Sequence, residues 1–433
     1  MKPSSKAIMA GVVLAAAVTA CSSNSNSSGS SGHQTVVFWE FNTDQPSINA
    51  YKHAIAEFEK LNPTITVDMQ VVPWTEQEQK ITTALVSGGL PDVSFLGNDV
   101  VAQYAHDGAL APLDSYMAGW SKQEGHNITA DYWPGDPYYY HLNGHWYGAP
   151  MADETSMVFY RADLFRKAGL NPDVPPTTWP QLLADAQKLK KVTAIPWSIT
   201  ESKDYNTIQT LISVWLADGA HMLTSQGQCG FETPQYKEAL TYYTSISKQG
   251  LAPTDAVNLG ETQEDDLFTS GKAGILIDGP WIYTTIQQQN PKLLPDVRMA
   301  LIPGGSAGEY GFLGGWPLVM WQTSTHKAAA AKWIEYATSP KGAMNAIDSV
   351  SGFLPGRVSL MTQAPWTSTP WTQFAQQMKS AYPYQYPAPE IPQMGKIEVE
   401  TVQDSVQRVA SGAQSVDQST AQLCQTMNAE LAK

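Results

Sequence analysis

The sequence predicts an α/β fold divided into two domains, and three observations carry that expectation. Short β-rich runs alternate with segments of helical spacing, and a second series of such units begins near residue 157. The chain is also 433 residues long, whereas one hydrophobic core rarely serves more than about 250–300.

The elements follow in order. Val36-Val37-Phe38-Trp39 is β-rich and opens the folded part. Residues 49–61 set Ala50, Ile55, Phe58 and Leu61 at helical spacing and stop at Asn62-Pro63. Residues 65–72 alternate as a strand, 79–86 read as a helix ending at Gly88-Gly89, and 91–96 form a third strand. This β-α-β-α-β rhythm implies a largely parallel sheet. Ligands sit at the carboxyl ends of such strands, which makes the loops 40–44 and 97–99 candidates. Asn143-Gly144 signals a tight hairpin. His141 and His145 are four apart, but that hairpin sends them to opposite faces, so no metal site is expected.

The second series starts with a strand at 157–160 and a short helix at 162–168. A helix through Lys190 follows, with Thr178 as its N-cap and Pro180 in its first turn. A strand at 195–198, helices at 207–217 and 234–248, and a strand at 272–277 come next. Residues from 328 onward are mostly helical, interrupted by an irregular Pro-rich stretch at 382–392.

At the N-terminus, Lys2 and Lys6 precede an apolar run over 7–18, too short to span a bilayer and reading as the core of an export signal. Val18-Thr19-Ala20-Cys21 resembles a lipobox, in which the cysteine becomes the new N-terminus and carries a diacylglycerol. An ordinary secretory signal with an unrelated cysteine is the other reading. Residues 22–32 are rich in Ser, Asn and Gly and suit a flexible tether. The expectation is a signal peptide over 1–20, a lipidated tether over 21–33, and membrane contact through that anchor only. The net charge of −14 argues against nucleic acid or anionic membrane as a partner. No GxGxxG, P-loop or zinc-type cysteine pair occurs, so no cofactor is expected. Cys229 and Cys424 either form a disulfide in an oxidising compartment or remain two buried thiols; spacing alone leaves both open. Tyr (19) and Trp (14) together far outnumber Phe (11), and ring faces with polar tips suit a guest with apolar C–H faces and hydroxyl edges.

Several landmarks then appear in one order: Gly88-Gly89-Leu90-Pro91-Asp92-Val93, Tyr104-Ala105-His106-Asp107-Gly108, Trp146-Tyr147-Gly148-Ala149-Pro150, Phe159-Tyr160-Arg161-Ala162-Asp163-Leu164-Phe165 and Pro176-Thr177-Thr178-Trp179. Phe268-Thr269-Ser270-Gly271-Lys272-Ala273-Gly274, Gly279-Pro280-Trp281 and Leu313-Gly314-Gly315-Trp316 complete the set. From about Val36 to the C-terminus, the chain resembles the family 1 extracellular solute-binding proteins, the group containing the maltodextrin-binding proteins. The resemblance implies a two-lobe periplasmic-binding-protein fold of type II, each lobe discontinuous and the two joined by hinge strands. It implies lobes at 34–149 with 275–325 and at 150–274 with 326–433. It also implies a monomeric carbohydrate receptor on the outer face of a bacterial cell membrane. The receptor would close on its sugar and deliver it to the transmembrane subunits of an ABC importer.

The same resemblance proposes site residues. Asp99 matches a carboxylate that accepts sugar hydroxyls, with an N-cap for a helix at 100–107 as the plain alternative. Glu154 aligns with a hinge-region acid, and Glu201 and Tyr205 with contacts from the second lobe. Trp281 matches a tryptophan that stacks on a sugar ring. Trp316 follows Gly314 and Gly315, which would let a ligand or backbone come close. Asn42, Trp74, Trp197 and Arg357 complete the set. Glu398 replaces a stacking aromatic of the maltodextrin branch, and Leu96 and Val100 replace an aromatic and an arginine, so a mono-, di- or oligosaccharide other than maltose fits better.

Two other functions compete. Asp99 and Glu154 could pose as the acid pair of a glycan hydrolase, although two carboxylates alone are non-specific. A receptor for glycerophosphodiesters would want arginines, and only Arg357 sits near a landmark.

Overall fold

The computed structural model describes residues 32–383 and 391–432. The expected leader over 1–20, Cys21, the expected tether up to residue 31 and residues 384–390 of the Pro-rich stretch lie outside the described residues.

Strand β1 (Gln34–Glu40) buries Val36, Phe38 and Trp39. Helix α1 (Gln45–Leu61) starts four residues earlier than its apolar spacing suggests, because the Asp44 carboxylate accepts the Ser47 N–H at 2.9 Å and Pro46 suits the first turn. It packs Tyr51, Ala54, Ile55 and Phe58 onto the sheet. Strand β2 (Ile65–Val71), helix α2 (Trp74–Ser87), strand β3 (Val93–Phe95) and helix α3 (Asn98–His106) complete the expected rhythm, with β2 and β3 both parallel to β1. Gly88 ends α2 in the left-handed region at φ 79°, where a side chain would be strained.

The hairpin has the expected register, His141 opposite Trp146 and Leu142 opposite His145, with Asn143 and Gly144 both at positive φ. Strand β4 (Gly148–Glu154) then runs fully buried into β5 (Met157–Arg161), and only Thr155 and Ser156 separate them. The chain changes sheets in that short step. Strand β6 (Ile195–Ser198), helices α4 (Tyr205–Ala217) and α5 (Glu261–Thr269), strand β7 (Ala273–Asp278), helix α6 (Trp281–Gln289) and strand β8 (Val297–Ala300) build the second body. Strand β9 (Gly314–Met320), helices α7 (Lys327–Ala337) and α8 (Met344–Ser351) and strand β10 (Leu354–Pro355) return to the first.

The result is a two-lobe α/β architecture. A six-stranded sheet has the order β10-β4-β9-β3-β1-β2, and a four-stranded sheet has the order β8-β5-β7-β6. Pairing corrects the expected lobe boundaries. The apolar run of β7 pairs along β5, and β8 pairs along the other edge of β5, so residues 275–300 belong with the second sheet. Helices α7 and α8 pack on the first sheet and α1, so the stretch after residue 326 does not pass wholly to the second lobe. A third crossing follows β10, after which Phe374 lies 6.2 Å from Phe159 of β5 and Gln377 accepts the Ile302 N–H at 2.8 Å.

Cys229 and Cys424 form a disulfide that fastens the final helix, α9 (Val416–Leu431), across a separation of 195 residues. Closing so long a loop lowers the entropy of the unfolded chain. Replacing both cysteines with serine is expected to cost about 2–5 kcal/mol in urea unfolding; an unchanged midpoint would contradict that role.

Candidate ligand-binding cleft

The carboxyl ends of β1 and β3, the start of α2, the end of β4 and the start of β9 face the first residues of α4, α5 and α6 across the gap between the sheets. A cavity of about 370 Å³ lies there. A neighbouring cavity of about 330 Å³ is bounded by α2, α3 and residues 395–400. Trp74 and Tyr205 border both, so the two cavities share a two-residue boundary.

The larger cavity has an aromatic wall. Trp316 packs edge-on to Trp74 at 4.4 Å and lies 4.9 Å from Phe41, and Phe353 lies 5.7 Å from Trp281. Trp281 is the first residue of α6, and its indole N–H donates to the Asp265 carboxylate at 3.2 Å. A Cβ at residue 279 would overlap the Trp281 ring, so Gly279 is what lets the indole fold back over the strand end.

Carboxyl groups line the rest. Glu154 closes β4 at 2 % exposure, and burial pushes its carboxyl well above the usual range, with Glu261 and Asp278 adding repulsion. The Trp316 indole N–H favours the charged form without closing a hydrogen bond, and Glu154 Oε2 has no donor among the described residues. Gly314 stands opposite Glu154 and Gly315 opposite Asp153. A Cβ on either would overlap the facing carboxylate, so the glycine pair admits two buried acids rather than a ligand, and neither borders a cavity. Behind α5, Asp265 and Asp278 face each other as a carboxyl pair. Burial raises Asp265 strongly and Asp278 to about 6. The Asn206 amide donates to Asp278 at 3.0 Å and to Glu264 at 3.2 Å.

Asn42, Trp74, Glu154, Tyr205, Trp281 and Trp316 thus meet around one cavity. Asn42 is held by its side-chain and backbone N–H groups donating to Glu40 at 2.5 and 2.8 Å. Asp99 borders the second cavity with Leu96 and Val100. It is the second residue of α3, whose N-cap is Gly97, so the capping alternative does not describe it. Burial first, then the Glu78 charge, raises its carboxyl to about 6 against two backbone N–H groups.

Three further expectations are corrected. Trp197 is fully enclosed in β6 and borders neither cavity. Glu201 is buried, accepts the Ser247 hydroxyl at 2.7 Å and lies away from both cavities, its carboxyl raised by burial to about 7. Arg357 is 2 % exposed and committed to an ion pair with Glu124 at 2.7 Å and Asp131 at 2.9 Å. A buried guanidinium needs both carboxylates, so this residue clamps the segment 124–131 to the chain after β10.

Sequence reading missed Phe41, Phe353 and the acids of α5. Phe41 lies inside the flagged loop and Phe353 four residues before Arg357, in a landmark whose cation drew attention instead. Glu261 and Asp265 are four apart on one helix face, a spacing that aims both at the gap. Among the described residues, no group of three His, Cys, Asp or Glu forms a metal cluster, and no helix is long and apolar enough to cross a membrane.

A family model for bacterial extracellular solute-binding proteins matches residues 43–344, and the chain belongs to that family. A Brucella abortus binding protein is 32% identical over 282 residues, covering 64% of this chain and 66% of its own length, just under two thirds. A Thermotoga lettingae ABC-transporter solute-binding protein, solved with α-D-tagatose, superposes with a TM-score of 0.81 at 26% identity, covering 92% of this chain and 100% of the other. The sugar-binding protein MalE of Xanthomonas citri gives 0.75 at 29%, covering 92% and 97%.

The raised carboxyls predict a pH dependence. Glu40 and Glu201 are pushed to about 7 and Asp99 and Asp278 to about 6, whereas unfolded carboxyls titrate near 4. Between these values the folded chain holds protons the unfolded chain has lost, so stability falls as pH rises through 6–7. The ligand-free protein should melt higher at pH 5 than at pH 8, and calorimetry giving the reverse order would refute this account.

Proposed function

We propose that the protein is a sugar-binding receptor of an ABC importer, capturing a mono-, di- or oligosaccharide by closure of the two lobes and performing no chemistry on it. The observation that carries this reading is the cleft between two sheets, walled by indole and phenyl rings and lined with carboxylates. Ring faces meet the C–H faces of a sugar, and a carboxylate accepts two hydroxyls at once. The tagatose-bound and MalE neighbours support the reading. Two short crossings, at Thr155-Ser156 and before β9, are tied by the Thr155 hydroxyl donating to the Phe312 carbonyl at 2.6 Å, which gives the lobes a compact hinge.

Asn42, Trp74, Asp99, Glu154, Tyr205, Trp281 and Trp316 are the residues to which this reading assigns sugar contact. Asp99 and Glu154 border different cavities, which speaks against a paired acid and nucleophile. Among the described residues no Lys, Arg or His borders the larger cavity, and Arg357 is held elsewhere, which speaks against a phosphodiester guest. Thermal shift across a broad saccharide panel tests the function, since a bound guest raises apparent stability. A rise of several degrees with at least one sugar is expected, and a panel without any shift would reject the function. For that sugar, Trp281→Ala should weaken binding about tenfold or more, roughly 1.4 kcal/mol, without lowering the ligand-free melting temperature much.

The receptor works on the extracytoplasmic face, consistent with its family, and Cys21 carries the lipid that keeps it there. Cys21→Ala is expected to move the protein from the membrane fraction to the soluble fraction; retention on membranes would dismiss the anchor.

A further inference from the structure

The larger cavity is unbalanced in charge. Asp44 and Glu154 come from the first lobe and Glu261, Asp265 and Asp266 from the second, and among the described residues no basic side chain borders it. The lysine of the adjoining cavity, Lys396, lies 3.8 Å from Glu430. Glu154 is the deepest of the five acids, and its Oε2 has no hydrogen-bond donor among the described residues. Beside the acids stand Trp281, fixed to Asp265 through its N–H, and Phe353, 5.7 Å away.

Closure over a neutral guest would bring these carboxylates together while removing the water that screens them. Hydroxyl donors relieve only part of that repulsion. An ammonium group relieves more, because it brings a full opposite charge as well as its N–H donors, and the indole face adds cation–π attraction. Absence of Arg and Lys excludes an anionic guest but favours a cationic one over a neutral one. We propose that the cleft selects a carbohydrate carrying a protonated amine, an amino sugar or aminocyclitol, with Glu154 as the principal partner of the nitrogen and the carboxylates of α5 around it. This rests on the sugar-receptor reading and narrows its substrate class.

The raised titration of Glu154 agrees with that assignment, since a buried carboxyl without a counter-charge is the group a cation would relieve. Glu261 and Asp278 on the facing lobe and Asp153 on its own strand raise the Glu154 carboxyl further, and Asp44, Asp265 and Asp266 line the same cavity.

The test is titration calorimetry on the full chain at pH 7. It uses glucosamine, galactosamine, mannosamine and the chitosan dimer and trimer, each against its N-acetyl and hydroxyl counterparts, with choline as a non-sugar cation. At least one amine should bind tenfold or more tighter than both counterparts, and Glu154→Gln should reduce that ratio severalfold. Asp266→Asn, at an exposed position, should reduce it by less and serves if the first variant does not fold. Neutral sugars that bind as tightly as their amines would overturn the inference and leave the receptor reading standing. So would neutral-sugar affinity that climbs as pH falls from 8 to 5, which would mean that protons rather than an ammonium neutralise the acids. Choline binding above every amino sugar, or an amine preference untouched in Glu154→Gln, would also overturn it. Silence from every saccharide would remove both.

Discussion

The pairing of β4 with β9 is the constraint on which the rest of the molecule turns. These two strands lie side by side in the first sheet, and from their ends the chain passes to and from the second. The pairing is unusual in content. It carries two prolines opposite each other, Pro150 and Pro317, beside a register shift, so neither contributes an N–H at that rung. It also buries Asp153 and Glu154 at its end, and only the side-chain-free edge of Gly314 and Gly315 gives them room. The same geometry that joins the lobes therefore presents a desolvated carboxyl to the gap between them. Hinge and recognition surface are one piece of backbone.

Much of the first lobe was legible because its strands and helices keep their periods. Residues 36–39, 65–72 and 91–96 gave strands at nearly the observed bounds, and Thr178 caps the helix Trp179–Leu189 as its sequence suggests. What stayed hidden was hidden for physical reasons. Gly148–Glu154 holds a glycine, a proline and two acids, a composition that reads as a loop, and becomes a strand only because neighbours on both sides supply its hydrogen bonds. The lobe boundaries depend on which edge of β5 receives β7 and β8, a long-range choice that local spacing does not encode.

The site was half legible. Aromatic residues that follow glycines reached the cleft, as with Trp281 after Gly279-Pro280 and Trp316 after the glycine pair. Residues chosen for charge or for position after a strand did so less often. Arg357 has the chemistry of a ligand contact, yet two carboxylates from residues 124 and 131 claim it, and their partnership is visible only in three dimensions. Trp197 lies in a strand whose last three residues are all buried, so it packs into the core and not the cleft.

Trp74 from the first lobe and Tyr205 from the second stand at the boundary of the two cavities. A short guest fits wholly on one side and leaves the far chamber to water. A linear guest long enough to occupy both would pass the indole and the phenol, so those two side chains would then bear on chain length independently of the chemistry of the acidic cavity. Bulk at position 205 would shorten the longest occupant, and a smaller residue at 74 would merge the two rooms into one.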